Sequence, residues 1–258
     1  MITSLQNPLV KQVRKLHQAK GRRDKGLLLL EGTHLLKEAL AAKYPLETVC
    51  GTPDWQTKHP ELWQQIAIYS PRVEQVSEAV LAAMATTVTP DGVVAIAPRL
   101  SDGIPQSLNL GLALETIQDP GNLGTMIRTA AAAGVDGLWL SQDSVDLDHP
   151  KVLRASVGSW FRLPLIPCPD LRAQLIKLQG QGVQVVATLP TAAISYWDVD
   201  LSKPTLIVLG NEASGLSAPL VDLADCQVQI PLNPAVESLN VSICAALLLY
   251  EARRQQGF

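Results

Sequence analysis

The chain has 258 residues, 47% of them hydrophobic and 17% charged, with a formal net charge of −3. That composition describes an ordinary soluble globule of one large α/β domain or two smaller ones, and it excludes a uniformly basic nucleic-acid binder. Four scattered cysteines without a CxxC pair, and four histidines without ligand spacing, predict a reduced cytoplasmic protein with no metal. The first residues lack the apolar core of a signal peptide, and the apolar run 27–30 is too short to span a bilayer, so no membrane is expected. Charge is uneven along the chain. Residues 1–40 carry eight Lys+Arg against three Asp+Glu, whereas 110–258 carry nine against fourteen.

In chain order, the periodicities predict a basic helix over 8–18 with Val10, Val13 and Leu16 apolar, then a break at Lys20-Gly21-Arg22-Arg23. A strand over 27–30 and a helix over 34–42 follow. Short strands are expected at 48–50, 66–69 and 93–97, with helical stretches between them. The stretch 98–109, with two prolines, a glycine and two serines and no period, reads as a linker between a domain of residues 1–97 and one of 110–258. The second part alternates strands (112–117, 138–140, 163–166, 183–188, 205–209, 227–230) with helices (123–133, 151–157, 171–179, a short one near 217–224, and 238–254). Apolar β-branched strands separated by helices predict a parallel sheet covered on both faces.

Ligands of open α/β sheets bind beyond the carboxyl ends of the strands, so three loops matter most. The first is Asp119-Pro-Gly-Asn-Leu-Gly-Thr-Met-Ile-Arg128, and the second is Gly210-Asn-Glu-Ala-Ser-Gly-Leu-Ser217. The third is Ile230-Pro-Leu-Asn-Pro-Ala-Val-Glu-Ser-Leu-Asn-Val-Ser242, where Glu237, Ser238 and Asn240 crowd the entrance to an apolar helix. The second loop misses the phosphate-binding pattern of NTPases only where Leu216 stands for lysine, and without that lysine the NTPase reading fails. The first has too few glycines for a dinucleotide fingerprint, and no acidic residue ends the strand at Leu140.

Read together, these loops resemble the three motifs of the SpoU (TrmH-type) RNA 2′-O-ribose methyltransferases of the SPOUT superfamily. The stretch 146–158, with Phe161 and Pro164, adds a fourth likeness. Asn7-Pro8, Lys20, Arg22, Gly26 and Leu30-Glu31-Gly32 resemble the ribosomal-protein-like substrate-binding domain of the larger members. The chain departs from the pattern at Leu232, Ala213 and Pro234, and proline offers no backbone donor. The resemblance implies a smaller α/β domain followed by a parallel-sheet SPOUT domain with a C-terminal trefoil knot, and a homodimer through the knot region. It implies S-adenosylmethionine held near Leu189, Gly210, Ile230 and Leu239.

It also implies catalytic roles for Asn122, Arg128, Glu212, Ser238 and Asn240. Arg128 would clamp a phosphate beside the target ribose; because arginine does not deprotonate, the phosphate would relay the proton. Each residue has a plainer reading. Arg128 would be a helix-surface arginine paired with an acid, Glu212 a solvated loop carboxylate, and Asn122 and Ser238 helix N-caps, which leaves Asn240 unexplained inside a first turn. The basic set Lys11, Arg14, Lys15, Lys20, Arg22, Arg23 and Lys25 suits RNA phosphates, or a solvated helix face. The expected activity is ribose 2′-hydroxyl methylation of ribosomal RNA (23S), with transfer RNA second. The rival is a non-catalytic RNA-binding or ribosome-assembly protein on the same fold.

Overall fold

The computed structural model describes residues 1–99, 103 and 105–257, so Leu100, Ser101, Asp102 and Ile104 of the expected linker lie outside the described residues. The chain forms two compact units: Met1–Leu100 with Asp148–Phe161, and Ser101–Leu147 with Arg162–Phe258. The segment 148–161, which the sequence pattern assigns to the second domain, therefore packs as part of the first.

Unit 1 contains helices α1 (Pro8–Lys15), α2 (Ala19–Lys25), α3 (Thr33–Ala41), α4 (Pro53–Lys58), α5 (Pro60–Tyr69) and α6 (Glu78–Met84). Its sheet has the order β1-β4-β2-β3, from Leu27–Glu31, Val93–Pro98, Thr48–Gly51 and Val73–Gln75. Only β2 and β3 pair in parallel. Val10, Val13 and Leu16 do face the core, beside Leu29, Val80, Leu81 and Ile96.

Two local expectations are corrected. The break at Gly21 is a helix: a Cβ there would lie 1.9 Å from the Lys15 carbonyl oxygen, so this glycine permits close approach of α2 to the end of α1. The strand expected at 66–69 is the last turn of α5, which buries Leu62 and Ile66 one turn apart and exposes Ile68 and Tyr69.

The returning segment brings α8 (Pro150–Ala155) into unit 1, held by buried charges. Asp148 receives Arg22 Nε at 3.2 Å and Arg99 Nε at 2.8 Å, and Arg22, 0% exposed, also donates to the Leu16 carbonyl at 3.0 Å. Glu31 accepts from the Thr86 and Thr87 amides at 3.0 and 3.2 Å and pairs with Arg154 at 3.1 Å. Tyr44 packs edge-on against Trp160, with ring centres 5.8 Å apart.

Unit 2 is a seven-stranded parallel sheet in the order β7-β6-β5-β10-β8-β11-β9. Its central members are β5 (Leu110–Leu114), β6 (Gly137–Ser141), β8 (Gln184–Thr188), β10 (Thr205–Leu209) and β11 (Cys226–Gln229), with β7 (Leu165–Cys168) and β9 (Ile194–Ser195) at the two edges. Helices α9 (Leu171–Gln179) and α10 (Ala218–Val221) contribute Leu171, Leu175, Leu178 and Leu220 to a core with Trp139, Val185 and Leu206. Helices α7 (Pro120–Ala132) and α11 (Val241–Gln255) pack on each other, and α11 also packs on β10 and β5. From β5 the chain runs outward to β6 and β7, then crosses to build β8 to β11 on the other side of β5. The crevice between the β5 and β10 ends is therefore the switch point, where ligands of such sheets bind.

Asp148→Ala leaves Arg22 buried with its main counter-charge gone. The expected loss is about 3–5 kcal/mol, measured by urea denaturation of the full chain.

Candidate active site at the switch point of the parallel sheet

The first loop leaves β5 and enters α7. Asp119 is the N-cap, accepting the Asn122 amide at 2.8 Å, and Pro120 takes the first helical position, where no amide is needed. Asn122 is therefore not the cap its sequence position suggested, and its side chain is available for other bonds. Its Nδ2 donates to Glu212 Oε1 at 3.1 Å, and its Oδ1 accepts from Asn240 Nδ2 at 3.0 Å. Three residues expected from the sequence, one from each loop, thus form a continuous chain.

The second loop folds back on itself. Asn211 and Gly215 exchange two backbone hydrogen bonds of 3.0 Å, which puts Glu212 in a tight turn. Gly215 has φ +70°, and a Cβ on Gly210 would lie 2.3 Å from the Gly215 backbone, so both positions require glycine. The turn is fastened at both ends: Asn211 Nδ2 donates to the Thr116 carbonyl at 2.8 Å, and the Ser217 amide and hydroxyl bond Glu115 at 2.7 and 2.6 Å. Glu212 also accepts the Gln118 and Asp119 amides, both at 3.5 Å.

In the third loop the helix begins later than the sequence pattern suggests. Asn240, not Ser238, caps α11, its Oδ1 accepting the Ser242 amide at 2.8 Å while its Nδ2 reaches Asn122. The residue that capping left unexplained is therefore the cap, and Ser238 stands exposed two residues earlier. Pro234 is accommodated at the second position of a turn over 233–236, closed by the Val236 amide on the Asn233 carbonyl at 2.8 Å, with the Asn233 side chain bonding the Ala235 amide at 2.9 Å. Proline is favoured at that position, and its missing donor is not called on.

Arg128 is exposed on α7 and has no hydrogen-bond or ion-pair partner among the described residues. The acid partner of the plainer reading is absent from it there, so the guanidinium can meet a ligand. Asp143, which the sequence did not single out, lies beside the first loop. Hydrogen bonds from Ser141 and then Thr116 hold its carboxyl below the usual range.

Leu189, Gly210 and Ile230 follow directly on β8, β10 and β11, three adjacent parallel strands, so they line one edge of the sheet. Leu239 immediately precedes the α11 cap. Close by, at the end of β8, Thr188 Oγ1 is buried without a hydrogen-bond partner among the described residues, an orphan that a bound polar ligand would satisfy. A separate cleft of about 550 Å³ lies at the β5, β6 and β7 ends. Its carboxylates are already engaged: Glu115 with Ser217, Asp143 with Ser141, and Asp170 as the cap of α9.

Of the basic residues, Lys11, Arg14, Lys15, Lys20, Arg23 and Lys25 are exposed on α1 and α2, whereas Arg22 is sequestered by Asp148 and offers nothing to a phosphate. Burial raises all four cysteine thiols, Cys50 to about 12, which leaves none poised as a nucleophile. Among the described residues, no group of three or more His, Cys, Asp or Glu could hold a metal ion, and no helix is long and apolar enough to cross a membrane.

A parallel sheet with three polar loops joined at its switch point defines an α/β ligand-binding unit, and comparison with known proteins specifies it. Residues 109–250 match the SpoU rRNA Methylase family, and residues 7–95 match the MRM3-like substrate binding domain. An uncharacterised tRNA/rRNA methyltransferase of Synechocystis sp. is 51% identical over 99% of this chain and 94% of its own. The 23S rRNA (guanosine(2553)-2′-O)-methyltransferase RlmP of Bacillus subtilis is 33% identical over 98% of each chain. The crystal structure of an AdoMet-bound rRNA methyltransferase from Sinorhizobium meliloti superposes with a TM-score of 0.86 at 33% identity, covering 98% of this chain and 97% of that one. The chain belongs to the SpoU rRNA methylase family.

Asn240 carries two separable duties. Asn240→Ala removes both and is expected to cost about 1 kcal/mol through the lost cap, whereas Asn240→Asp keeps the cap and should stay within a few tenths of wild type, as read in thermal unfolding.

Proposed function

We propose that this protein transfers a methyl group from S-adenosylmethionine to a ribose 2′-hydroxyl of 23S ribosomal RNA, in the cytoplasm. The observation that carries the reading is the Asn240–Asn122–Glu212 chain at the switch point, whose Asn122 shares α7 with Arg128, a guanidinium without a partner among the described residues. A pure RNA binder would not need two amides and a carboxylate locked together.

The residues at the β8, β10 and β11 ends fit the cofactor. Leu189, Ile230 and Leu239 are half-buried apolar side chains, and the Thr188 hydroxyl lacks a partner among the described residues. When bound, S-adenosylmethionine supplies a sulfonium methyl whose carbon–sulfur bond breaks as the ribose oxygen bonds to it. Glu212 and Asn240 fix the Asn122 amide, whose second Nδ2 hydrogen is left to orient the ribose. The Arg128 fork clamps the adjacent phosphate, which takes the hydroxyl proton while the guanidinium stays charged. Ser238, exposed at the entrance to α11, is assigned to the ribose side. Lys11, Arg14, Lys20, Arg23 and Lys25 supply phosphate contacts from unit 1 that give affinity without sequence information.

The trefoil knot belongs to the same proposal. It is supported by the bonds that tie the end of α11 to the crossover at 199–203: Gln255 Nε2 to the Val199 carbonyl at 3.1 Å, Gln255 Oε1 from the Leu201 amide at 2.7 Å, and Gln256 Nε2 to the Leu201 carbonyl at 3.0 Å. A homodimer is supported by Ile243 and Tyr250, which lie two turns apart on α11 and are 49% and 51% exposed.

Incubation with methyl-labelled cofactor and 23S ribosomal RNA should place the label in alkali-resistant linkages; label in a base would overturn the reaction class. Arg128→Ala should lower kcat by about 100-fold or more while calorimetric affinity for the cofactor is retained. Asn240→Asp should also lose most activity despite its native stability, because it cannot donate to Asn122.

A further inference from the structure

We propose that Thr116, Asp143 and Asn211 are positioning residues for methyl transfer. Together they form a clamp that joins the loop after β5 to the loop after β10 and thereby brings Glu212 to Asn122. The inference rests on the ribose-methylation reading and extends it to residues that touch no reacting atom.

Thr116 has φ 56°, a conformation rare for a β-branched residue and natural for glycine. Glycine would relieve the backbone but would carry no hydroxyl, and the threonine uses every polar group it has. Its amide donates to Ser141 Oγ at 2.7 Å, its hydroxyl donates to Asp143 Oδ2 at 2.5 Å, and its carbonyl accepts from Asn211 Nδ2 at 2.8 Å. Asp143 is held in turn by Ser141 Oγ at 2.6 Å, and its own carbonyl accepts from Gln118 Nε2 at 2.9 Å. The Ile117 amide on Ser144 Oγ and the Val145 amide on the Ile117 carbonyl, at 3.0 and 2.8 Å, complete the lacing of the catalytic loop onto 141–145. Strain that persists at a site persists because its surroundings over-determine it, and here the surroundings can be counted bond by bond.

Asn211 carries this order across to the second loop. While its Nδ2 holds Thr116, its Oδ1 accepts the Ala213 and Ser214 amides at 2.9 and 3.0 Å, so one side chain sets the turn on both sides of Glu212. Glu212 needs that support, because its own backbone donors, the Gln118 and Asp119 amides, stand at the long distance of 3.5 Å. The bond of 3.1 Å from Asn122 therefore depends on where Asn211 places the carboxylate.

The test uses the full chain, 23S ribosomal RNA and labelled cofactor, with kcat, KM for RNA, calorimetric cofactor affinity and unfolding temperature measured for each variant. Asn211→Asp keeps the turn acceptor and loses the donor to Thr116. Thr116→Val keeps the shape and loses the hydroxyl, Asp143→Asn replaces one of the two carboxylate acceptors with a donor, and Thr116→Ser restores the hydroxyl. The first three should lower kcat about tenfold or more, with KM and cofactor affinity within about threefold, and Thr116→Ser should remain close to wild type. Wild-type kcat in Asn211→Asp, or equal losses in Thr116→Val and Thr116→Ser, would overturn the proposal. The Asn122 side-chain amide signal in ¹⁵N spectra gives a readout independent of turnover. It should shift in Asn211→Asp, and an unmoved signal also overturns the clamp. Wild-type protein that transfers no methyl to RNA refutes the reaction instead, while the spectra still decide the clamp.

Discussion

Everything at the site depends on one constraint of topology. In the parallel sheet of unit 2, β5 and β10 are neighbours in space and far apart in sequence, and the chain leaves β5 in one direction and builds the strands beyond β10 in the other. Their two loops open a crevice that no main-chain ladder closes. Side chains must bridge it. Asn211 joins the turn to Thr116, Ser217 bonds Glu115, and Glu212, Asn122 and Asn240 join all three loops. The carboxamide suits this work because it offers a donor and an acceptor on one short, rigid group, so each asparagine can receive from one loop and give to another.

The same economy explains why caps and site residues coincide. Asn240 caps α11 with its oxygen and reaches Asn122 with its nitrogen, so the direction of a fifteen-residue helix and the orientation of a site amide are set by one side chain. Asp119 relieves Asn122 of capping and frees it for the crevice. In unit 1, by contrast, buried polar groups serve packing: Arg22 and Asp148 neutralise one another inside the core, and Glu31 is saturated by two amides and Arg154.

Much of this was legible in the sequence. Strand 205–209 and helix 171–179 were read to the residue, and the order of strands and helices in the second half followed from alternating apolar runs. Asn122, Glu212 and Asn240 stood out because the three loops that hold them resemble the motifs of one family, and in the third loop because polar residues crowd the entrance to an apolar helix. The errors share a cause, which is that one-dimensional signals cannot report partners in space. Gly21 read as a break because its close helical neighbour is invisible in sequence. The 66–69 run of Ile-Ala-Ile-Tyr read as a strand although its buried face, Leu62 and Ile66, repeats at helical spacing. Arg22 read as an RNA contact because a buried counter-charge 126 positions away, Asp148, leaves no local trace. Ser238 and Asn240 are both good caps, and only the backbone decides between them. Thr116 and Asp143 carried no signal at all, because positive φ at a threonine is a product of tertiary bonds.

The return of 148–161 to unit 1 bears on how the protein can be made and divided. The N-terminal unit is not a contiguous stretch: Arg22 and Glu31 acquire Asp148 and Arg154 only after two strands of the second sheet have been synthesised. On the ribosome, the first hundred residues therefore emerge with a buried arginine and a buried glutamate still waiting for their counter-ions. The unit reaches its final form only after the intervening part of the second has been synthesised. A cut in the 98–109 stretch would not release two finished modules. It would separate a core from the charges that complete it, Asp148 and Arg154.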